Sequence, residues 1–185
     1  MPQTCTKALV LVVSALLGLT TACSPNRYRT YYIPSESMAP TLAVNDRIVT
    51  DRSIYRTTSP QRGDIVIFRP PAQLLEMLQG GNFNPDTPFV KRVIGLPGDT
   101  IAIQQGRVYV NNQPLQESYI AAPPDYIWGP ATVPAESFFV LGDNRNNAFD
   151  SHFWGYVPRD RVIGKVFWCY WPPTRFGSLE SKPTN

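Results

Sequence analysis

Residues 89–99 read Phe89-Val90-Lys91-Arg92-Val93-Ile94-Gly95-Leu96-Pro97-Gly98-Asp99, a β-strand pattern that ends in a turn. In an extended chain, Lys91 shares one face of the strand with Phe89 and Val93, so its amine has apolar neighbours. Burial disfavours the charged form of a lysine and lowers its pKa, which makes Lys91 a candidate general base. The structural alternative is a lysine that protects a sheet edge or extends to water.

Short β-branched runs on both sides of this stretch predict further strands at 47–50, 64–68, 100–103, 107–110, 137–141 and 161–171. The strands at 100–103 and 107–110 flank a short polar stretch and form a predicted hairpin. Residues 74–78 predict one or two helical turns, and residues 113–136 are Pro-rich and irregular. We therefore predict an all-β fold with an antiparallel sheet or barrel-like domain at 31–99 and 137–171. A β-rich insertion at 100–136 and a flexible tail at 172–185 complete this division.

Composition limits the possible functions. The chain has 185 residues and a net charge of +3, which is too small and dispersed to indicate nucleic-acid binding. Two of the three cysteines, Cys5 and Cys23, lie near the N-terminus, so no disulfide framework is predicted for the remainder. The single histidine, His152, belongs to no cluster with metal-ligand spacing. We predict neither a metal nor another cofactor.

The N-terminal segment, residues 1–30, predicts attachment to a membrane. Residues 8–26 carry no charge and would span about 28 Å as a helix, close to the roughly 30 Å of a hydrocarbon core. An uncleaved single-pass anchor is the preferred interpretation. A lipoprotein signal is the second, because residues 19–23 resemble a lipid-attachment box that ends at Cys23. A buried helix of a soluble protein is the third.

A hydroxyl-rich loop precedes the first predicted strands, with the sequence Pro34-Ser35-Glu36-Ser37-Met38-Ala39-Pro40-Thr41-Leu42. Ser37 is a candidate nucleophile if a base removes its proton, and Lys91 could be that base. An arbitrary serine in such a loop is more often a helix cap or a turn residue. The loop lacks Gly-x-Ser-x-Gly, which disfavours an α/β-hydrolase triad.

A third segment reads Gly142-Asp143-Asn144-Arg145-Asn146-Asn147-Ala148-Phe149-Asp150-Ser151-His152-Phe153-Trp154-Gly155. Together with the serine loop and the lysine strand, in this order and behind an apolar N-terminal segment, it resembles the boxes of the bacterial-type type I signal peptidases. The resemblance extends over residues 33–42, 46–51, 62–68, 89–99 and 137–166.

The resemblance implies a role for each matching residue. Ser37 matches the nucleophile of the family and Lys91 its general base, a dyad that uses no histidine. Ser35 matches the serine whose hydroxyl helps to stabilise the oxyanion. Arg92 and Asp143 match residues that form an ion pair near the active site.

Three positions depart from the family pattern. Ala148 stands where the family often has a serine that hydrogen-bonds the catalytic lysine, so we expect packing, water or another group to orient Lys91. Asn146 replaces a frequent aspartate and His152 a frequent arginine. A triad of Ser37, His152 and an aspartate is a further possibility. We favour a structural histidine hydrogen-bonded beside Asp150.

The resemblance implies a membrane-bound endopeptidase that removes signal peptides from exported preproteins on the extracytoplasmic side. Its substrates would carry small residues at −1 and −3 and would bind as an extended strand. Two alternatives remain at this point: a weakened or inactive membrane-anchored β module, and a specialised conjugation-type processing peptidase. Phe68, Phe149 and Trp154 are candidates either for membrane contact or for the core.

Overall fold

The computed structural model describes residues 27–78 and 84–179. Its strands are β1 (Tyr28–Tyr32), β2 (Arg47–Asp51), β3 (Ile65–Phe68), β4 (Phe89–Gly95), β5 (Thr100–Gln104), β6 (Arg107–Val110), β7 (Gln113–Pro114), β8 (Trp128–Thr132), β9 (Ser137–Leu141), β10 (Val157–Pro158), β11 (Val162–Trp171) and β12 (Gly177–Ser178). Its α-helices are α1 (Ala72–Met77) and α2 (Ser151–Trp154). Short 3-10 turns lie at Ile54–Arg56, Arg145–Asn147, Arg159–Arg161 and Pro173–Arg175.

The main sheet has the strand order β1-β2-β11-β3-β4-β9-β10, and β12 pairs with β11. Every strand pair within it is antiparallel, and the same holds for the smaller sheet. The predicted all-β antiparallel fold is therefore confirmed. The lysine strand, β4, lies between β3 and β9 in this sheet.

A second sheet, in the order β7-β6-β5-β8, is formed by residues between β4 and β9. The two sheets share a core, in which Ile94 and Phe139 of the main sheet pack with Ile101 and Val108 of the second. Gly95 lies at this junction, where an added Cβ would come within 2.9 Å of Phe139. The division into a domain at 31–99 and 137–171 and an insertion at 100–136 stays a prediction.

The predicted hairpin is present as β5 and β6. Its two-residue turn, Gln105-Gly106, has positive φ at both positions (51° and 72°), as a type I′ turn requires. Residues 113–136, which we expected to be irregular, contain β8, and this strand pairs with β5 at the edge of the second sheet. An edge strand tolerates a proline such as Pro130, because the missing N–H is not needed for a further strand pair. The sequence of β8 lacks the apolar alternation of a strand, so its pairing with β5 determines the structure.

The tail expected to be flexible is ordered on the main sheet as far as residue 179. Gly177 and Ser178 pair with β11, and the guanidinium of Arg175 contacts both carboxylate oxygens of Asp46 at 2.9 Å. An ion pair to a buried aspartate thus fixes a segment whose polar composition had suggested disorder. Residues 180–185 lie outside the described residues.

The predicted anchor lies mostly outside the described residues, as does Cys23. β1 already begins at Tyr28, so the last three residues of the segment 1–30 belong to the sheet. In the part of the chain that the structure describes, no helix is long and apolar enough to cross a membrane.

The three aromatic residues with two candidate roles lie in or against the core. Phe68 and Trp154 are buried and contact each other, with ring centroids 5.9 Å apart. Phe149 is half-buried and packs against the same cluster. This packing assigns Phe68 and Trp154 to the core and not to a membrane contact.

Candidate active site

The serine loop follows β1 and is held by its own apolar side chains. Met38 and Leu42 are buried in the cluster beneath the sheet, and the Leu42 amide donates to the Met38 carbonyl at 2.8 Å. Ile33 closes the loop at its other end, where its amide donates to the Asp46 carbonyl. Buried residues therefore position Ser37, which lies between them.

The structure brings Lys91 and Ser37 together although 54 residues separate them in sequence. The Lys91 Nζ lies 2.8 Å from the Ser37 Oγ, within hydrogen-bond distance. The Lys91 side chain is buried, with 3% of its surface exposed. Burial lowers the pKa of Lys91 to about 8, although the negative charges of Asp150 and Asp143 oppose this shift.

A second hydroxyl lies beside the nucleophile candidate. The Ser35 Oγ is 3.3 Å from the Ser37 Oγ, and either atom could be the donor. Ser35 is exposed and lines the same cleft as Ser37. It is thus close enough to contact a group that is bonded to the Ser37 Oγ.

Arg92 and Asp143 form a fully buried, two-pronged ion pair. The Arg92 Nε lies 2.8 Å from Asp143 Oδ1, and its Nη2 lies 2.6 Å from Oδ2. The Arg92 Nη1 also donates to the Gly63 carbonyl, and the Thr41 hydroxyl donates to Asp143. The pair joins β4 to the turn after β9 and, through Thr41, to the serine loop.

Asp150 organises the turn on the other side. One carboxylate oxygen accepts from the Gly142 amide at 2.9 Å, and the other accepts from the His152 amide and caps α2. The His152 Nδ1 lies 2.7 Å from the same carboxylate, and its ring stacks on Tyr126. The hydroxyl of Ser37 has Lys91 and Ser35 as its hydrogen-bond partners, and His152 is not among them.

Ala148 is buried beside Gly142 and carries no hydroxyl that could orient the lysine. A backbone group provides the second contact instead, since the Lys91 Nζ lies 3.1 Å from the carbonyl of Val90. We did not anticipate this group from the sequence, because every residue has a carbonyl and only the fold orients one.

Two further residues that the sequence did not single out link the segments. The Asn144 amide donates to the Ser37 carbonyl at 3.2 Å, and its side chain donates to the Glu36 carbonyl. Arg145 is fully buried and forms a two-pronged ion pair with Glu117, at 2.6 and 2.8 Å. Asn144 and Arg145 lie in the third segment that resembles the family, so the sequence offered a reason to consider them. No local sequence feature indicates that Glu117 pairs with Arg145.

The second sheet thus contributes to the site through one short loop. Glu117 accepts from the Tyr119 hydroxyl at 2.7 Å, and the ring of Tyr119 lies 4.0 Å from the guanidinium of Arg92. Arg92 is therefore enclosed by Asp143 on one side and an aromatic ring on another.

The Ser37 and Lys91 pair opens into a cleft of about 620 Å³. Its walls are largely apolar and come from the end of β1, the serine loop, β3, the start of β4 and the third box, with lining residues that include Tyr31, Ile33, Met38, Ile67, Val90 and Phe149. A serine hydroxyl hydrogen-bonded to a desolvated amine at such a cleft has the geometry of an activated nucleophile.

Comparison with known proteins identifies the family of this chain. The family described as "Signal peptidase, peptidase S26" matches residues 4–171. A signal peptidase I of Leptolyngbya laminosa is 51% identical over 96% of this chain and 84% of its own length. A probable signal peptidase I-2 of Synechocystis is 47% identical over 94% of this chain and 75% of its own length. A crystal structure of a signal peptidase I from Enterococcus faecalis aligns with a TM-score of 0.47 at 30% identity, over 58% of this chain and 96% of that one.

The class of protein is therefore that of the serine endopeptidases. Within that class, this chain belongs to the signal peptidase family, peptidase S26. The resemblance found in its three boxes is confirmed.

The depressed lysine pKa predicts a stability change on Lys91→Met. The pKa is about 8 in the folded chain against an ordinary value of 10.5, so the cost of burying Lys91 is full below pH 8 and declines as the pH rises towards 10.5. This pKa shift corresponds to a loss of at most about 3 kcal/mol in the free energy of unfolding. We expect Lys91→Met to unfold at higher urea concentration than wild type at pH 7, and the difference to shrink as the pH rises to 9.5.

Lys165→Met is the matched control, because Lys165 forms an ion pair with the buried Asp64 at 2.6 Å. This variant should lose stability at every pH in the same range. A Lys91→Met variant that is less stable than wild type at pH 7 would contradict the claim that burial of the Lys91 amine destabilises the folded chain.

Proposed function

We propose that this protein is a serine endopeptidase that removes N-terminal signal peptides from exported preproteins. The single observation that carries the proposal is the 2.8 Å contact between the Lys91 Nζ and the Ser37 Oγ in a buried setting. Membership of the signal peptidase family supplies the substrate class.

In the proposed reaction, neutral Lys91 accepts the Ser37 proton while the Oγ attacks the carbonyl carbon of the scissile amide. The resulting ammonium of Lys91 donates a proton to the leaving amine, which departs as the new N-terminus of the mature protein. A water molecule then gives one proton to Lys91 and attacks the acyl-enzyme ester. The Lys91 ammonium returns that proton to the departing Ser37 oxygen, and the signal peptide leaves as a carboxylic acid that ionises in solvent.

The oxyanion of the tetrahedral intermediate would be stabilised by the backbone N–H of Ser37 and the hydroxyl of Ser35. The 3.3 Å distance between the two serine oxygens supports this role, because an atom bonded to the Ser37 Oγ comes within reach of Ser35. Loss of one such donor typically reduces the rate about 10²–10³-fold.

The edge of β4 supports binding of the substrate as an extended strand. Residues 89–91 pair with β3, whereas the pairing with β9 starts only at Arg92. Among the described strands, none pairs with the other edge of Val90 and Lys91, and both residues line the cleft. A strand added there would direct alternate side chains at the cleft wall, consistent with a requirement for small residues at −1 and −3.

We propose 31–99 and 137–171 as the catalytic domain and 100–136 as an insertion that braces it. The ion pair between Arg145 and Glu117, and the ring of Tyr119 over Arg92, support a bracing role. Arg92, Asp143 and Asp150 would act as positioning residues that fix the lysine strand and the turn after β9.

The membrane location is also a proposal. The uncharged segment 8–26 supports an uncleaved anchor with the catalytic domain on the extracytoplasmic side. Exposed aromatic side chains at Tyr28, Trp171 and Phe176 would suit contact with lipid. Lipid attached to Cys23 would replace the spanning anchor without moving the domain.

A weakened or inactive module is not favoured, because the carbonyl of Val90 gives Lys91 the second contact that Ala148 cannot. A conjugation-type peptidase with one dedicated substrate would use the same dyad, and only the range of accepted preproteins separates it from a general signal peptidase.

The dyad is tested by incubating a preprotein with the detergent-solubilised full chain, wild type beside Ser37→Ala and Lys91→Ala. We expect both variants to lose cleavage by at least about 10³-fold, because each removes one half of a single proton-transfer unit. The measurement is the appearance of the mature N-terminus by mass spectrometry.

Ser118→Ala is the matched control, since Ser118 is an exposed serine of the loop between β7 and β8, and it should cleave at the wild-type rate. In wild type the rate should fall below about pH 8, where Lys91 becomes protonated. Equal cleavage by all variants, or none by wild type, would refute the dyad.

Gly142→Ala tests the packing of the serine loop. An added Cβ would overlap the Ser37 carbonyl oxygen and come within 2.5 Å of the Ala148 Cβ, so the serine loop and the turn must separate. We expect a loss of roughly 1–3 kcal/mol in the free energy of unfolding. Cleavage should fall about 100-fold, because a displacement near 1 Å misaligns the nucleophile.

Gly177→Ala is the control, because no atom lies within 4 Å of the Cβ it would add. It should retain both stability and cleavage. Wild-type behaviour of Gly142→Ala would contradict the close approach of the loop and the turn.

A further inference from the structure

A second cleft, of about 300 Å³, lies at the end of the main sheet where β2 and β3 finish and β11 begins. Its lining residues are Arg52, Arg56, Arg69, Val162 and Ile163, none of which lines the substrate cleft. Three arginines thus converge on one small cavity from three separate segments. We call it the arginine cleft.

The arginines of this cleft differ from the buried arginines elsewhere in the chain. Within residues 27–78 and 84–179, the guanidinium groups of Arg52, Arg56 and Arg69 have neither an ion-pair partner nor a hydrogen-bond acceptor. The Nε of Arg52 is buried without an acceptor. By contrast, carboxylates neutralise Arg92 and Arg145. Three adjacent like charges, one of them partly desolvated, would be stabilised by a bound anion.

A phosphate group has the geometry that this cluster requires. The planar guanidinium donates two parallel hydrogen bonds to a pair of phosphate oxygens, and several arginines can share one phosphate. The side chains of Val162 and Ile163 add an apolar wall beside the charges. A charged group with hydrocarbon next to it matches such a site better than a free, fully hydrated phosphate does.

The position of the cleft indicates the source of the phosphate. The Arg52 amide donates to the Arg27 carbonyl at 2.8 Å, so the cleft adjoins the residue that directly follows the uncharged segment 8–26. The guanidinium of Arg27 is itself held by Asp51, at 3.0 and 3.2 Å. If segment 8–26 enters the bilayer, the cleft lies at the depth of the lipid headgroups.

We propose that Arg52, Arg56 and Arg69 form a binding site for the headgroup phosphate of an anionic phospholipid. The site would fix the catalytic domain against the bilayer at the point where the anchor emerges. This proposal rests on the membrane location proposed above.

The experiment measures the thermal midpoint of the full chain in neutral detergent micelles that contain an increasing mole fraction of phosphatidylglycerol. A ligand that binds only the folded chain raises the midpoint. The test variant is Arg56→Gln with Arg69→Gln. Both residues are exposed and have no side-chain partner among the described residues, so the substitutions should leave folding intact. We expect wild type to be stabilised, and half-saturation in the variant to require about 30-fold more lipid or not to be reached.

The charge-matched control is Arg47→Gln with Arg107→Gln, two exposed arginines outside the arginine cleft. It should respond to phosphatidylglycerol like wild type. An equal response of the test and control variants would overturn the proposal. So would an equal response of wild type to phosphatidylcholine, or to inorganic phosphate at the same phosphate concentration, because the lipid would then not be the ligand recognised.

The experiment tests lipid binding by the arginine cleft independently of the proposed peptidase activity. Every chain in this experiment also carries Ser37→Ala, so the wild type of the comparison has an intact arginine cleft but no nucleophile. The thermal midpoint therefore does not depend on cleavage. Extraction of membranes with alkaline carbonate tests the location by itself. Release of the full chain into the aqueous phase would show that the chain has no integral anchor and would overturn the proposal, whereas retention in the membrane is required by it.

Discussion

The rest of the site depends on one constraint: an amine must stay neutral while it lies 2.8 Å from a serine hydroxyl. Burial achieves this by disfavouring the ammonium form, and the pKa of Lys91 falls to about 8. Two buried carboxylates nearby act in the opposite direction. Both are committed to other partners: Asp143 is bound by Arg92, while Asp150 accepts from backbone amides and contacts His152. Neither carboxylate forms a hydrogen bond with the Lys91 amine, whose partners are the Ser37 hydroxyl and the Val90 carbonyl.

Alternation along β4 makes this arrangement possible. Lys91 and Arg92 are adjacent, so their side chains point to opposite faces of the sheet. One contacts the nucleophile and the other anchors the strand to Asp143. The proposed base, Lys91, and the residue that anchors its strand, Arg92, are therefore neighbours in one strand. A register shift of a single residue would exchange the sheet faces to which they point.

The parts of this fold that the sequence predicted are those governed by local patterns. The β-branched runs of β3, β4 and β11 and the Gln105-Gly106 turn each carry a local signal, and the structure contains them. β8 carries no such signal, because its hydrogen-bonded ladder is formed by pairing with β5.

The same distinction applies to the site. Ser37, Lys91 and Asp143 lie in three segments whose combination and order resemble the signal peptidase boxes, so the sequence identified them together. The partnership of Arg145 with Glu117 crosses 28 residues, and the Val90 carbonyl near Lys91 depends on the path of the backbone. The ordered tail is a similar case, since Arg175 is polar in composition yet binds a buried aspartate. Such long-range contacts follow from tertiary geometry and leave no trace in local composition.

The central claim is that Lys91 is neutral at the pH where the protein acts, and direct titration of its amine tests this most simply. The chain has four lysines, so full-length protein labelled with ¹³C at lysine Cε should give four resolvable signals. We expect one signal to titrate near pH 8, well below the ordinary lysine value of about 10.4, and that signal to be missing from Lys91→Met. Titration of all four signals at or above that ordinary value would contradict it.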